Sequence, residues 1–209
     1  MYIPPAFAVT DPVKLREFME QHNFAILTSQ GPDGLVASHL PLLFDPARGP
    51  HGALLGHFAR ANRQWREVRG EVMAIFAGPH GYVSPSWYGE PGTVPTWNYV
   101  AVHAYGVMEV VEDQAGLLDI LRRSVAFSEA SRPEPWTFDE REPHVAAMSR
   151  AIVGFRIAIT RLEGKWKLSQ NHPSERRARV RQAFALQPDE NSRAVAALME
   201  QAERDRPAP

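Results

Sequence analysis

The segment that most limits the fold is Trp97 to Val111, the longest run that reads as a β-strand. Alternation along it puts Tyr105, Val107, Glu109 and Val111 on one face and Ala104, Gly106, Met108 and Val110 on the other. The other extended runs are shorter. Phe24 to Thr28 passes through the turn GPDG into Leu35 to Phe44, and Ala53 to Phe58 follows a Pro/Gly loop. Val72 to Phe76 and Tyr82 to Ser84 flank AGPHG, and Val153 to Thr160 and Lys165 to Leu168 flank a Glu-Gly pair, so both are read as strand, turn, strand. Strands joined chiefly by hairpins predict an antiparallel barrel, not a parallel sheet.

Helices are inserted between these strands and appended after them. Thr10, Asp11 and Pro12 open the first, which carries Leu15, Phe18 and Met19 on one stripe. Asn62 caps a short helix running to Val68, and Asp113 caps a longer one with Leu117, Leu118, Leu121 and Val125 at helical spacing. A short helix is expected near His144 to Met148, a basic one after Pro173, and a last one from Asn191 to Glu203. The tail after Arg204 reads as disordered.

The 209 residues, 44% hydrophobic and 22% charged, belong to a globular chain able to bury a core without staples. The absence of cysteine excludes disulfides, thiolate chemistry, Fe–S clusters and Cys-bound zinc. No basic leader precedes an apolar run, and no stretch reaches the roughly 18 apolar residues of a membrane span, so a cytoplasmic location without a membrane partner is expected. The net charge is -1, but from Arg150 to Arg181 nine Lys/Arg stand against two Glu. Within that segment SERRARVRQAF sets Arg177 and Arg181 one turn apart, with Val180 and Phe184 toward the body. No second recognition helix follows, so any DNA contact is expected from Arg176, Arg177, Arg179 and Arg181 to phosphates.

Between Tyr82 and Tyr99 five aromatic rings are crowded among prolines, glycines and hydroxyls. Trp87, Tyr88, Trp97 and Tyr99 carry polar handles, which fits either a wall for a flat, partly polar ligand or a plug closing a barrel end. No G-x-G-x-x-G, P-loop, G-x-S-x-G elbow or zinc-helix spacing is present.

Six runs occur in order: MYIPPAF, SHLPLLFD, GHFARANRQW, YVSPSWY, VPTWNYVAVHAYG and GFRIAITRLEGKWKLSQN. Together they resemble the PaiB family over about residues 1–186, leaving 187–209 as a C-terminal helix and tail. The resemblance implies an α+β protein built on a six-stranded antiparallel split β-barrel, a homodimer, FMN in a groove between subunits, and negative transcriptional regulation with possible DNA contact. It implies no particular reaction. A flavin-dependent oxidoreductase and a haem-binding or haem-degrading relative, with His57 or His103 as axial ligand, stay open as alternatives.

FMN needs donors for its phosphate, apolar cover for its ring system and donors near its pyrimidine edge. By position in split-barrel flavoproteins, the resemblance implies Ser38, His39, His57, Arg60 and Asn62 for the phosphate, with His39 where an arginine is often found. Asn62 reads equally as a plain helix cap. Trp97 and Asn98 join the set from the aromatic segment. The polar end of WKLSQN adds Lys167, Ser169, Gln170 and Asn171, because such groups are costly to bury without partners.

Overall fold

The computed structural model describes residues 1–139 and 141–205. The chain end that the sequence reads as disordered lies, beyond Asp205, outside the described residues. Among the described residues eight strands are formed: β1 (Ala8–Val9), β2 (Phe24–Gly31), β3 (Gly34–Pro41), β4 (Leu43–Asp45), β5 (Ala53–Ala59), β6 (Arg69–Val83), β7 (Thr96–Val111) and β8 (Ile152–Lys167). The helices are α1 (Pro12–Gln21), α2 (Gln64–Glu67), α3 (Gln114–Glu129), α4 (Pro143–Ser149), α5 (Ser174–Ala185) and α6 (Glu190–Arg204). Six strands, β2, β3, β5, β6, β7 and β8, run seven residues or more; the short β1 and β4 raise the count from the expected six to eight. The class is the expected one, mainly antiparallel β with inserted and appended helices.

Two compact units are present. Unit 1 comprises Met1–Asp11, Ala77–Val102 and the chain from Glu163 onward; unit 2 comprises Pro12–Phe76 and His103–Leu162. The strands follow the order β3-β2-β6-β7-β8-β5-β4, with β1 paired to β8. The β2–β3 hairpin pairs Phe24 with Pro41 through Gly31 with Gly34, and Gly34 takes the positive φ of 121° that its tight turn requires. The expected single strand to Phe44 is broken at Leu42, which is fully buried while its N–H bonds to the Asn23 carbonyl at 2.8 Å.

Two expected turns are continuous strand. Gly78 and Gly81 take no positive φ, so AGPHG stays extended within β6. The Glu163-Gly164 pair is also extended, because Gly164 lies opposite Val9 in the β1–β8 ladder.

The core of unit 2 gathers Leu27, Leu54, Phe58, Phe76, Phe155 and Ile157, with the Phe58 and Phe155 rings 4.6 Å apart. Asp113 caps α3 by accepting the Gly116 N–H at 2.7 Å, and the helix buries Leu117 and Ile120. Gly106 is the narrow point: a Cβ there would stand 2.2 Å from the Ala158 carbonyl oxygen, so any side chain would displace backbone. In unit 1, α5 buries Val180 and Phe184 and α6 buries Val195, Ala196 and Met199. Phe184 meets Trp87 edge to face at 5.0 Å, and a Cβ on Gly81 would fall 2.4 Å from the Phe184 ring. Gly81 thus makes room for a helix and does not turn a strand.

Candidate functional site

The sequence-derived site residues divide between the two units. In unit 2, Ser38, Asn62 and the buried Gln64 form a closed network around the start of α2. Asn62 Oδ1 accepts the Gln64 backbone N–H at 2.9 Å, which is the capping role, and Asn62 Nδ2 donates to Ser38 Oγ at 2.9 Å. Ser38 in turn donates to Gln64 Oε1 at 2.6 Å, so its single hydroxyl hydrogen is spent inside the protein. Gln64, which the sequence reading passed over, is the centre of this network; its position two residues after a capping Asn is the one sequence signal that marks it.

Arg60 clips two backbone carbonyls. Its Nε donates to Arg150 O and its Nη2 to Ile152 O, both at 2.8 Å, which fixes the junction of α4 and β8. The guanidinium is exposed, and its Nη1 hydrogens remain for an anion. His39 is exposed on β3, its ring 6.3 Å from that of Phe24. His57 on β5 is half-buried opposite Gly154, and burial pushes its imidazole below its ordinary value, so it is neutral at pH 7. Arg60 carries a fixed positive charge and His39 and His57 carry imidazole donors, each a group of a kind that a phosphate accepts from, but no hydrogen bond or ring contact joins the three among the described residues.

In unit 1 the polar groups of the WKLSQN run separate by role. Asn98 is fully buried and exchanges hydrogen bonds with Ser169 at 3.1 and 3.2 Å. Ser169 holds a left-handed φ of 66°, a strained conformation for a non-glycine residue. Gln170 is turned inward: its Nε2 donates to Trp166 O at 2.6 Å and its Oε1 accepts the Leu168 N–H at 2.7 Å, so it caps its own chain and has one amide hydrogen left. Trp97 is exposed and packs edge to face on Tyr82 at 5.8 Å, while Trp87 and Tyr88 are drawn inward. The aromatic segment therefore supplies both core and surface.

Lys167, Ser169 and Asn171 line a pocket of about 410 Å³ with Phe7, Tyr88 and Arg176. Lys167 Nζ donates to Thr96 Oγ1 at 2.7 Å and to the Trp97 carbonyl, and burial, then the charge of Lys165, hold its ammonium below the ordinary lysine value. Burial, helped by Arg176 and Lys167, also lowers His172. Arg176 Nη1 lies 3.2 Å from His172 Nδ1; an arginine only donates, so Nδ1 accepts and the imidazole proton resides on Nε2. Tyr88 was among the aromatics the sequence offered as a ligand wall, whereas Phe7, Thr93, Thr96 and His172, which reach the pocket from three separate segments, were not predicted.

The placement of the basic helix corrects one expectation. Arg177 does not face solvent: it is buried, donates from Nε and Nη2 to Glu203 at 2.8 and 2.6 Å, and donates from Nη1 to the His172 carbonyl. Arg176 and Arg179 both pair with Glu90. Val180 and Phe184 face inward as expected.

A family model described as "Putative FMN-binding domain" matches residues 1–161. The chain belongs to this FMN-binding family, and within it to the PaiB type. It is 34% identical over 203 residues to the protease synthase and sporulation protein PAI 2 of Bacillus subtilis, covering 96% of this chain and 97% of that protein. Among solved structures it is similar to the flavocytochrome Anf3 of Azotobacter vinelandii, at 15% identity and a TM-score of 0.58 over 82% of this chain and 75% of that one. It is also similar to the FAD and heme binding protein of Mycobacterium smegmatis, at 15% identity and a TM-score of 0.54 over 82% and 78% of the two chains. These structural likenesses establish the split-barrel fold. FMN is the cofactor of the family, and the matched segment contains Arg60, His39 and His57 but ends before Lys167. No helix among the described residues is long and apolar enough to cross a membrane.

Proposed function

We propose that the protein is an FMN-binding negative transcriptional regulator of the PaiB type, acting as a cytoplasmic homodimer. The observation that supports it most directly is the family match over residues 1–161 together with 34% identity to PAI 2 along nearly the whole chain. We assign the FMN phosphate to Arg60, with His39 and His57 as further donors, because these lie inside the matched segment and keep hydrogen-bonding capacity. Ser38 and Asn62 act one step back, holding α2 through Gln64. FMN, when bound, supplies reversible redox chemistry of its own. The chain's part is to bind and orient it, and a regulator needs no protein acid or base for that.

Titration of the purified protein with FMN and with riboflavin tests the phosphate assignment. FMN is expected to bind about tenfold or more tightly, since a charge-assisted hydrogen bond contributes about 1.5–3 kcal/mol. Equal affinities would remove the phosphate site. Light scattering at micromolar concentration tests the dimer, and a monomer that retains FMN would overturn a shared groove.

A further inference from the structure

The pocket in unit 1 holds more positive charge than the chain around it neutralises. The half-buried ammonium of Lys167 is bonded only to a hydroxyl and a carbonyl, both neutral. No carboxylate lines the pocket. Arg176, on its wall, shares a single carboxylate, Glu90, with Arg179, and the Nε of each guanidinium is buried without a hydrogen-bond partner. Leaving cations partly desolvated and short of counter-charge is unfavourable unless something else supplies it.

We propose that this pocket binds a small organic anion, a carboxylate or phosphate monoester on a flat apolar body, as a second ligand besides FMN. The pocket's roughly 410 Å³ falls within the size class of small-molecule sites. Its two kinds of wall match the two ends of such a ligand: Lys167 and Arg176 on one side, the rings of Phe7 and Tyr88 on the other. Lys167 and Arg176 lie beyond residue 161, where the FMN-binding family match ends, so the anion site does not rest on the FMN assignment. An anion beside Lys167 also restores the stability of its charged form, which burial and Lys165 reduce.

The test is calorimetric titration of the full-length, FMN-saturated protein with benzoate, phenyl phosphate and the neutral benzamide. Either anion should bind at least tenfold more tightly than benzamide, and the stronger of the two identifies the head group. Lys167→Met should weaken the anion about tenfold or more. Val94→Glu puts a carboxylate on the pocket rim at a position that is 72% exposed; it is expected to abolish anion binding, leave FMN affinity unchanged and change the thermal midpoint little. Failure of both anions to bind, benzamide binding equally well, or anion affinity undiminished in Val94→Glu would each overturn the proposal. So would loss of FMN affinity in a folded Lys167→Met protein, because the pocket would then belong to the flavin. Failure of the wild-type protein to take up FMN would count against the flavin assignment alone, since the anion titration runs equally on flavin-free protein.

Discussion

Ser38 donates to Gln64 at 2.6 Å, and Gln64 returns its own amide hydrogens to Leu27 O at 3.1 Å and Ser29 Oγ at 3.0 Å. One buried side chain therefore joins α2 to both strands of the β2–β3 hairpin. Replacing Gln64 with Leu strands these partners, and an unsatisfied buried group costs about 1–3 kcal/mol. Gln64→Leu should lower the urea midpoint with little change in slope. Gln64→Glu should be destabilising as well, because an ionised carboxylate can only accept and would face the Leu27 carbonyl. An unchanged midpoint in both variants would show the network to be dispensable.

Stability should fall on mild acidification. Burial lowers His57 from its ordinary value of 6.5, as it lowers His22 and His172. Below 6.5 the unfolded chain therefore takes up protons that the folded one still refuses, so the unfolded state binds more protons and stability rises with pH in that window. The contribution is complete above 6.5, is lost as pH falls toward the folded values, and then levels off. Urea midpoints measured from about pH 7.5 to 5.5 should decline, and His57→Gln should flatten part of that decline. A flat profile for the wild-type protein would contradict the buried, neutral histidine.

The alternation of Trp97 to Val111, the β2–β3 hairpin and the capping aspartate of α3 were legible because each is a local pattern. The false turns at AGPHG and Glu163-Gly164 arose from reading glycine as a reversal. Gly81 makes room for the Phe184 ring, and Gly164 lies in a ladder with Val9, more than 150 residues away in sequence. Such roles come from tertiary neighbours that no window of sequence contains. The same holds for the site: Arg60 and Asn62 stand in one recognisable run, whereas Phe7, Tyr88, Lys167 and Arg176 meet only in the folded chain. Arg177 misled because its charge fits an exposed helix face, while Glu203, its partner, sits in α6.

The burial of Arg177 separates stability from nucleic-acid contact. Removing the buried guanidinium of a charge-assisted pair whose carboxylate is half exposed should cost about 1.5 kcal/mol, the low end for such bonds, so Arg177→Met should lower the thermal midpoint. Arg181 is exposed on the same helix. If regulation uses duplex contact by this helix, Arg181→Ala should weaken binding to a promoter fragment and a scrambled fragment alike, and reduce the log-log salt slope by about 0.9. Arg177→Met, assayed below its midpoint, should leave both unchanged. A sequence preference that survives Arg181→Ala would move recognition to another surface.

Arg60 has two edges, and variants can tell them apart. The inner edge, Nε and Nη2, holds the carbonyls of Arg150 and Ile152; the outer edge, Nη1, is the part we assign to phosphate. Arg60→Met removes both, so a fall in FMN affinity alone would be ambiguous. Riboflavin resolves it, because it carries the same ring system without the phosphate. Loss of the phosphate contact should weaken FMN about tenfold or more and leave riboflavin nearly unchanged. Loosening of the α4–β8 junction should instead weaken both flavins and lower the thermal midpoint. Arg60→Lys keeps the charge but not the fork, and should fall between wild type and Arg60→Met for FMN. Equal losses for the two flavins in Arg60→Met would make Arg60 a structural clip only, and the phosphate would have to be held by other donors.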